Sequence, residues 1–122
     1  MTGINYFADT NCFIYLLDEH PCILPFINDQ WVYSYITEIE LLAKKTITNK
    51  EDKLIRQMLS VCVRAGHSQE ITDAVIRIRR QCNLKVPDAI IAASAQIMKL
   101  PLLTADKEFS KIKELDIYLI EL

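Results

Sequence analysis

Short runs of aromatic and β-branched residues alternate with helix-patterned segments along almost the whole of this 122-residue chain. That alternation limits the folds open to it. Strand, helix, strand reads as a βαβ unit, so the pattern predicts a parallel α/β sheet with helices on both faces. The strand candidates are Ile4–Ala8, Trp31–Ile36, the stretch LPLLTAD ending at Asp106, and the closing DIYLIEL. NCFIYLLDEH reads as a helix capped by Thr10 or Asn11, and a short helical piece starts at Pro21 and is interrupted near Pro25. Thr37 is placed to cap a helix in EIELLAKKT. A longer helix begins near Lys50 and carries Leu54, Met58, Leu59 and the run Val61–Val63, until Gly66 and His67 break it. A further helix ends near Asn83 with Arg77, Arg79 and Arg80 exposed; another runs from Pro87 to about Lys99, and KEFSKIKEL forms a short last one.

Composition narrows the class without naming a function. Half the residues are apolar (51%) and a quarter charged (25%), as in an ordinary globular protein, and residues 1–122 read as one domain. No apolar run approaches the roughly 20 residues that span a bilayer. The opening MTGINYFADTN lacks a basic stretch followed by an apolar core, so the expectation is a cytoplasmic protein with no membrane segment. Cys12, Cys22, Cys62 and Cys82 contain no C-x-x-C element, and only two histidines accompany them. They read as reduced, small apolar residues rather than as zinc ligands or disulfides. A net charge of −2 carries no global signature of nucleic-acid binding, though a local basic rim remains compatible with it.

The acids are more informative. In open α/β sheets, ligands bind beyond the carboxyl ends of the strands, near the switch in strand order. Two candidate strands run into a carboxylate there, YFAD at Asp9 and LLTAD at Asp106. Asp88 opens the helix VPDAIIAASA behind Pro87, which suits a first helical turn. Glu38 and Glu40 follow the second strand at the same edge. Each has a mundane use: Asp9 and Asp106 suit turns or helix caps, Asp88 a helix dipole, and either glutamate a solvated helix face. The two glutamates lie about 200° apart on a helical wheel, which does not say which one faces a shared site. Acids arriving from four segments at one rim repel one another. Raised pKa values, a nearby Lys or Arg, or a hard divalent cation would resolve that repulsion. Mg²⁺ or Mn²⁺ at such a site suits phosphodiester hydrolysis.

The pieces FADTNCFIYLL, SYITEIELL, VPDAIIAASA and LLTADKEF, in this order, resemble the PIN-domain family, and specifically its small VapC-like ribonuclease toxins. The resemblance covers essentially the whole chain. It implies a PIN-like three-layer α/β/α sandwich around a central, mainly parallel sheet of about four to five strands. It also implies an endoribonuclease dependent on Mg²⁺ or Mn²⁺, with Asp9, Glu40, Asp88 and Asp106 as catalytic and metal-binding acids and a water as nucleophile. The family pattern selects Glu40 over Glu38, and matches Asn11 and Thr104 as supporting residues. Proteins of this kind are typically homodimers held inactive by a cognate antitoxin. An alternative within the same fold is an RNA-processing nuclease, or an RNA- or protein-binding scaffold without a toxin role.

For RNA contact, Lys107 beside Asp106 is the leading candidate, with Arg79 and Lys85 ahead of Asp88 as further ones, although a solvated helix face also accounts for such basic residues. Two acidic-pocket rivals fail at specific positions. A phospho-acceptor receiver domain needs paired acids at the first strand and an acceptor Asp after a middle strand, and WVYSYITEI has none. A haloacid-dehalogenase-like phosphatase needs a second Asp two residues after the first, where this chain has Asn11.

Overall fold

Strand β1 (Asn5–Ala8) lies at the centre of the molecule, because its side chains are apolar on both faces. Tyr6, Phe7 and Ala8 are all buried. The computed structural model describes residues 5–122, so Ile4 of the expected first strand lies outside the described residues. The chain continues through α1 (Thr10–Leu17), a 3-10 segment (Pro21–Phe26), β2 (Gln30–Ser34), α2 (Tyr35–Leu42) and α3 (Asn49–Ser60). It then forms β3 (Val63–Ala65), α4 (Gln69–Gln81), α5 (Val86–Met98), β4 (Leu102–Thr104), a second 3-10 segment (Lys107–Lys111) and β5 (Ile117–Leu119).

The five strands are all parallel, in the order β3-β2-β1-β4-β5. The sheet grows outward from β1 in one direction through β2 and β3, then in the other through β4 and β5. The switch in strand order falls between β1 and β4, where Phe7 pairs with Leu102 and Ala8 with Leu103. Alternate residues of each inner strand feed opposite layers. Phe7, Val32 and Leu102 join a core closed by α4 and α5, whereas Tyr6, Ala8, Trp31, Tyr33 and Leu103 join one closed by α1, α3 and the first 3-10 segment. This is the expected three-layer α/β/α sandwich. No described helix is long and apolar enough to cross a membrane.

Helix α5 explains the alanine-rich stretch after Asp88. Ala89, Ile91, Ala92, Ala93, Ser94 and Ala95 are all buried, so almost every face of the helix is in contact with protein. Small side chains let it lie close to α4, against Ile71, Ala74 and Ile78. Its one buried hydroxyl, on Ser94, donates to the Ile90 carbonyl at 2.7 Å. Lys99 ends the helix in a left-handed conformation (φ 56°).

Several local expectations need correction. Asp9, not Thr10 or Asn11, caps α1, accepting from the Thr10 N–H. Strand β2 stops at Ser34, whose hydroxyl caps α2 by accepting from the Ile36 N–H at 3.1 Å. Thr37 is therefore no cap: it lies inside α2 and is fully buried. The Val61–Val63 run is not helical. Helix α3 ends at Ser60, and Val63–Ala65 pairs with Val32–Ser34 as the sheet-edge strand β3. The short helix predicted over KEFSKIKEL is a 3-10 turn limited to Lys107–Lys111. The four cysteines are free, as expected.

Candidate active site

At the carboxyl ends of β1 and β4, next to the switch point, Asp9 and Thr104 face each other. Asp9 is 5% exposed and Thr104 fully buried. The Thr104 hydroxyl donates to Asp9 Oδ2 at 2.7 Å and accepts from the Asp106 backbone N–H at 3.0 Å. One hydroxyl thus ties the end of β1 to the turn that carries Asp106. Asp9 Oδ1 accepts from the Thr10 N–H at 2.8 Å. Asp106 caps the 3-10 segment after it by accepting from the Glu108 N–H at 2.9 Å. Both aspartates therefore do have the capping role their local sequence suggests, with carboxylate lone pairs to spare.

Asp88 is different. It lies in the first turn of α5, where a negative charge suits the helix dipole, yet no side chain caps that helix, so its carboxylate is not spent on a capping hydrogen bond. Asp88 is half-buried, and burial raises its pKa, with further upward pushes from Asp106 and Glu40 and a downward pull from Lys85. Asp9 behaves alike. Burial pushes its pKa up to about 6 against the bonds from Thr104 and Thr10, and Asp88 and Asp106 add to the rise. These mutual effects place Asp9, Asp88, Asp106 and Glu40 in one electrostatic neighbourhood.

The structure also separates the two glutamates. Glu38 turns to the edge of the sheet and pairs with Arg64 of β3 at 3.2 Å. Glu40 is exposed and turns towards α1, where its Oε1 accepts from the Thr10 hydroxyl at 2.7 Å. That same hydroxyl lies 2.8 Å from the hydroxyl of Thr37. Sequence reasoning missed Thr10 and Thr37 as parts of the site. Both were read as caps, and nothing local in the sequence says that they meet.

The other nominated residues lie around this cluster. Asn11 is half-buried in the first turn of α1, its Oδ1 3.7 Å from the Cys12 thiol. Lys85 and Lys107 are exposed beside Asp88 and Asp106. Arg79 is exposed too, but its Nε donates to the Leu84 carbonyl at 3.0 Å, bracing the turn that leads into α5.

Among the described residues, none of the four acids has an ion-pair partner; the pairs present are Arg56–Asp52, Arg64–Glu38 and Lys111–Glu108. Nor, as arranged, do any three His, Cys, Asp or Glu side chains among the described residues stand close enough together to hold an ion. The chemistry of the donors nevertheless fits a hard divalent cation. They are carboxylates without an ion-pair partner among the described residues, and the softer alternatives are engaged elsewhere: the Cys12 thiol donates to the Leu103 carbonyl, and His67 bonds Thr72.

The PIN domain family profile matches residues 6–115. Among solved structures, a toxin–antitoxin complex from Klebsiella pneumoniae contains a chain 28% identical to this one, covering 94% of this chain and 99% of that one, with a TM-score of 0.81. VapBC2 from Rickettsia felis, bound to a DNA fragment from its promoter, gives 21% identity, 97% and 100% coverage and a TM-score of 0.83. DNA-bound VapBC from Salmonella typhimurium gives 20% identity, 97% and 98% coverage and a TM-score of 0.82. These last two likenesses are likenesses of fold. No curated protein sequence matches the chain.

Proposed function

Because the chain belongs to the PIN domain family, we propose that it is a metal-dependent endoribonuclease acting as the toxin of a toxin–antitoxin pair. What supports the nuclease reading is the mutual electrostatic influence of Asp9, Glu40, Asp88 and Asp106 near the carboxyl ends of the strands, with no ion-pair partner for any of them among the described residues. The likeness to a chain of a toxin–antitoxin complex supports the toxin role and an antitoxin partner.

Asp9, Glu40, Asp88 and Asp106 are the residues that would hold Mg²⁺ or Mn²⁺. Such an ion supplies Lewis acidity, activating water and stabilising the leaving oxygen of a phosphodiester. The protein's own part is placement. Thr104 fixes the Asp9 carboxylate and the turn of Asp106 together, and α5 holds Asp88 rigidly because the helix behind it is buried nearly all round. Lys107 and Lys85 supply positive charge beside the acids for RNA phosphates, and Arg79, with guanidinium N–H groups beyond the one given to Leu84, extends that rim. Asn11 and Thr104 support the cluster. The proposal includes a cytoplasmic homodimer as the working form.

The test is cleavage of RNA by the purified protein with Mg²⁺ or Mn²⁺, beside Asp9→Asn and Asp88→Asn. Both substitutions are expected to cut cleavage by about a hundredfold or more, with the fold retained by circular dichroism. Cleavage that survives both substitutions, or proceeds undiminished in EDTA, overturns the mechanism. Expression of the wild type should arrest growth and Asp9→Asn should relieve it. An active enzyme harmless on expression would point to RNA processing instead.

A further inference from the structure

We infer that Thr10, backed by Thr37, is the positioning residue that holds Glu40 in the acid cluster. The inference rests on the proposed metal-dependent nuclease reading and adds to it a pair of hydroxyls that neither capping nor packing accounts for.

Thr10 reaches two acids at once. Its backbone N–H donates to Asp9 Oδ1 at 2.8 Å, and its hydroxyl donates to Glu40 Oε1 at 2.7 Å. One residue thus spans the end of β1 and the face of α2. The proton order behind it is forced. The Thr10 hydroxyl gives its single proton to Glu40 Oε1, so the Thr10 oxygen has only lone pairs left for Thr37. Thr37, fully buried, must therefore donate to Thr10 across their 2.8 Å contact. The chain runs one way, from Thr37 through Thr10 to Glu40, and each bond polarises the next.

The spacing on α2 explains why Glu40 is the acid held. Thr37 and Glu40 are three residues apart and share a helix face, the one turned to Thr10. Glu38 lies off that face and is taken by Arg64. Glu40 is also the most mobile kind of donor among the four acids: a long side chain on an exposed residue. Asp9 is buried and Asp88 rides a buried helix, whereas the Thr10 hydroxyl is the one group among the described residues that hydrogen-bonds the Glu40 side chain.

The test uses the purified full chain and Mn²⁺ as the probe, with affinity read by calorimetry and RNA cleavage read in parallel. Thr10→Val and Thr37→Val are expected to weaken Mn²⁺ binding about tenfold. They should lower kcat by a similar factor and leave KM for RNA and the melting temperature of the metal-free protein near wild type. Thr10→Ser, which keeps the hydroxyl, should restore binding. Glu40→Gln serves as the reference. If Glu40→Gln weakens Mn²⁺ binding while Thr10→Val binds as the wild type does, the positioning role is wrong and the metal-site reading stands. The positioning role also falls if Thr10→Ser is as weak as Thr10→Val. If the wild type itself fails to bind Mn²⁺, or Glu40→Gln binds as tightly as wild type, the ligand assignment falls and the inference with it. Thr10 is a half-exposed first-turn residue, so the Thr10 pair decides the matter even if Thr37→Val fails to fold.

Discussion

Asp9 is held between opposed forces. Two hydrogen bonds favour its charge, while burial and two neighbouring aspartates oppose it, and the opposition wins by enough to move its pKa from 3.8 to about 6. Below about pH 3.8 the carboxyl is neutral in both folded and unfolded chains and costs nothing. Between 3.8 and 6 the folded state holds the extra proton, so stability falls as pH rises. Above 6 the folded protein carries a buried charge at a cost of roughly 3 kcal/mol. Asn at this position removes that charge and keeps an oxygen for the Thr10 N–H, while its amide N–H must donate to the Thr104 hydroxyl, reversing that bond. In EDTA at pH 8, Asp9→Asn should therefore melt higher than wild type, on the order of 5 °C, and the advantage should shrink as pH falls to 5. Millimolar Mn²⁺ should raise the wild-type melting temperature at pH 8 and leave that of Asp9→Asn almost unmoved. A variant less stable than wild type at both pH values would show that its hydrogen bonds outweigh the buried charge.

Helix α2 shows how much the sequence disclosed at the level of elements, and where it stopped. The alternation of strands and helices was legible because each inner strand is apolar on both faces, and Asp9, Asp88 and Asp106 were legible because each sits at a strand end or a helix start. Helical spacing left the choice between Glu38 and Glu40 open and only the family pattern made it, because the residue that takes Glu38 is Arg64, on a strand that leaves almost no trace. Strand β3 has three residues, two of them exposed, and its valine continues the apolar run of the helix before it. Tyr35 and Ile36 likewise extended β2 on propensity, although the Ser34 hydroxyl starts a helix there. The Thr10–Thr37 contact joins residues 27 apart, beyond any local pattern. The division of labour on α2 is open to measurement. Glu38→Gln breaks an exposed pair worth about 1 kcal/mol or less and should leave RNA cleavage at the wild-type rate. Glu40→Gln should lower cleavage steeply at little cost in melting temperature.

On the scale of the whole molecule, the site depends on both cores. One anchors α5, and through it Asp88; the other anchors α1 and β4, on either side of Asp9. Ala92, with no exposed surface on α5, leaves no room for a larger side chain. Ala92→Leu should cost about 1–3 kcal/mol in urea unfolding and reduce cleavage as α5 is pushed from its seat. An unchanged unfolding midpoint would mean that the α5 seat is looser than its burial indicates. The bond from Thr104 to Asp9 spans 95 residues of sequence. Its order of assembly follows from that span, because β1 is made first while the neighbour that completes the acid rim is among the last strands made. A ribosome synthesising this protein holds, for most of that time, a chain in which Asp9 lacks its Thr104 partner. On the proposed reading, the nascent polypeptide is harmless to the RNA that surrounds it, and cutting begins only once β4 has emerged and slid in beside β1.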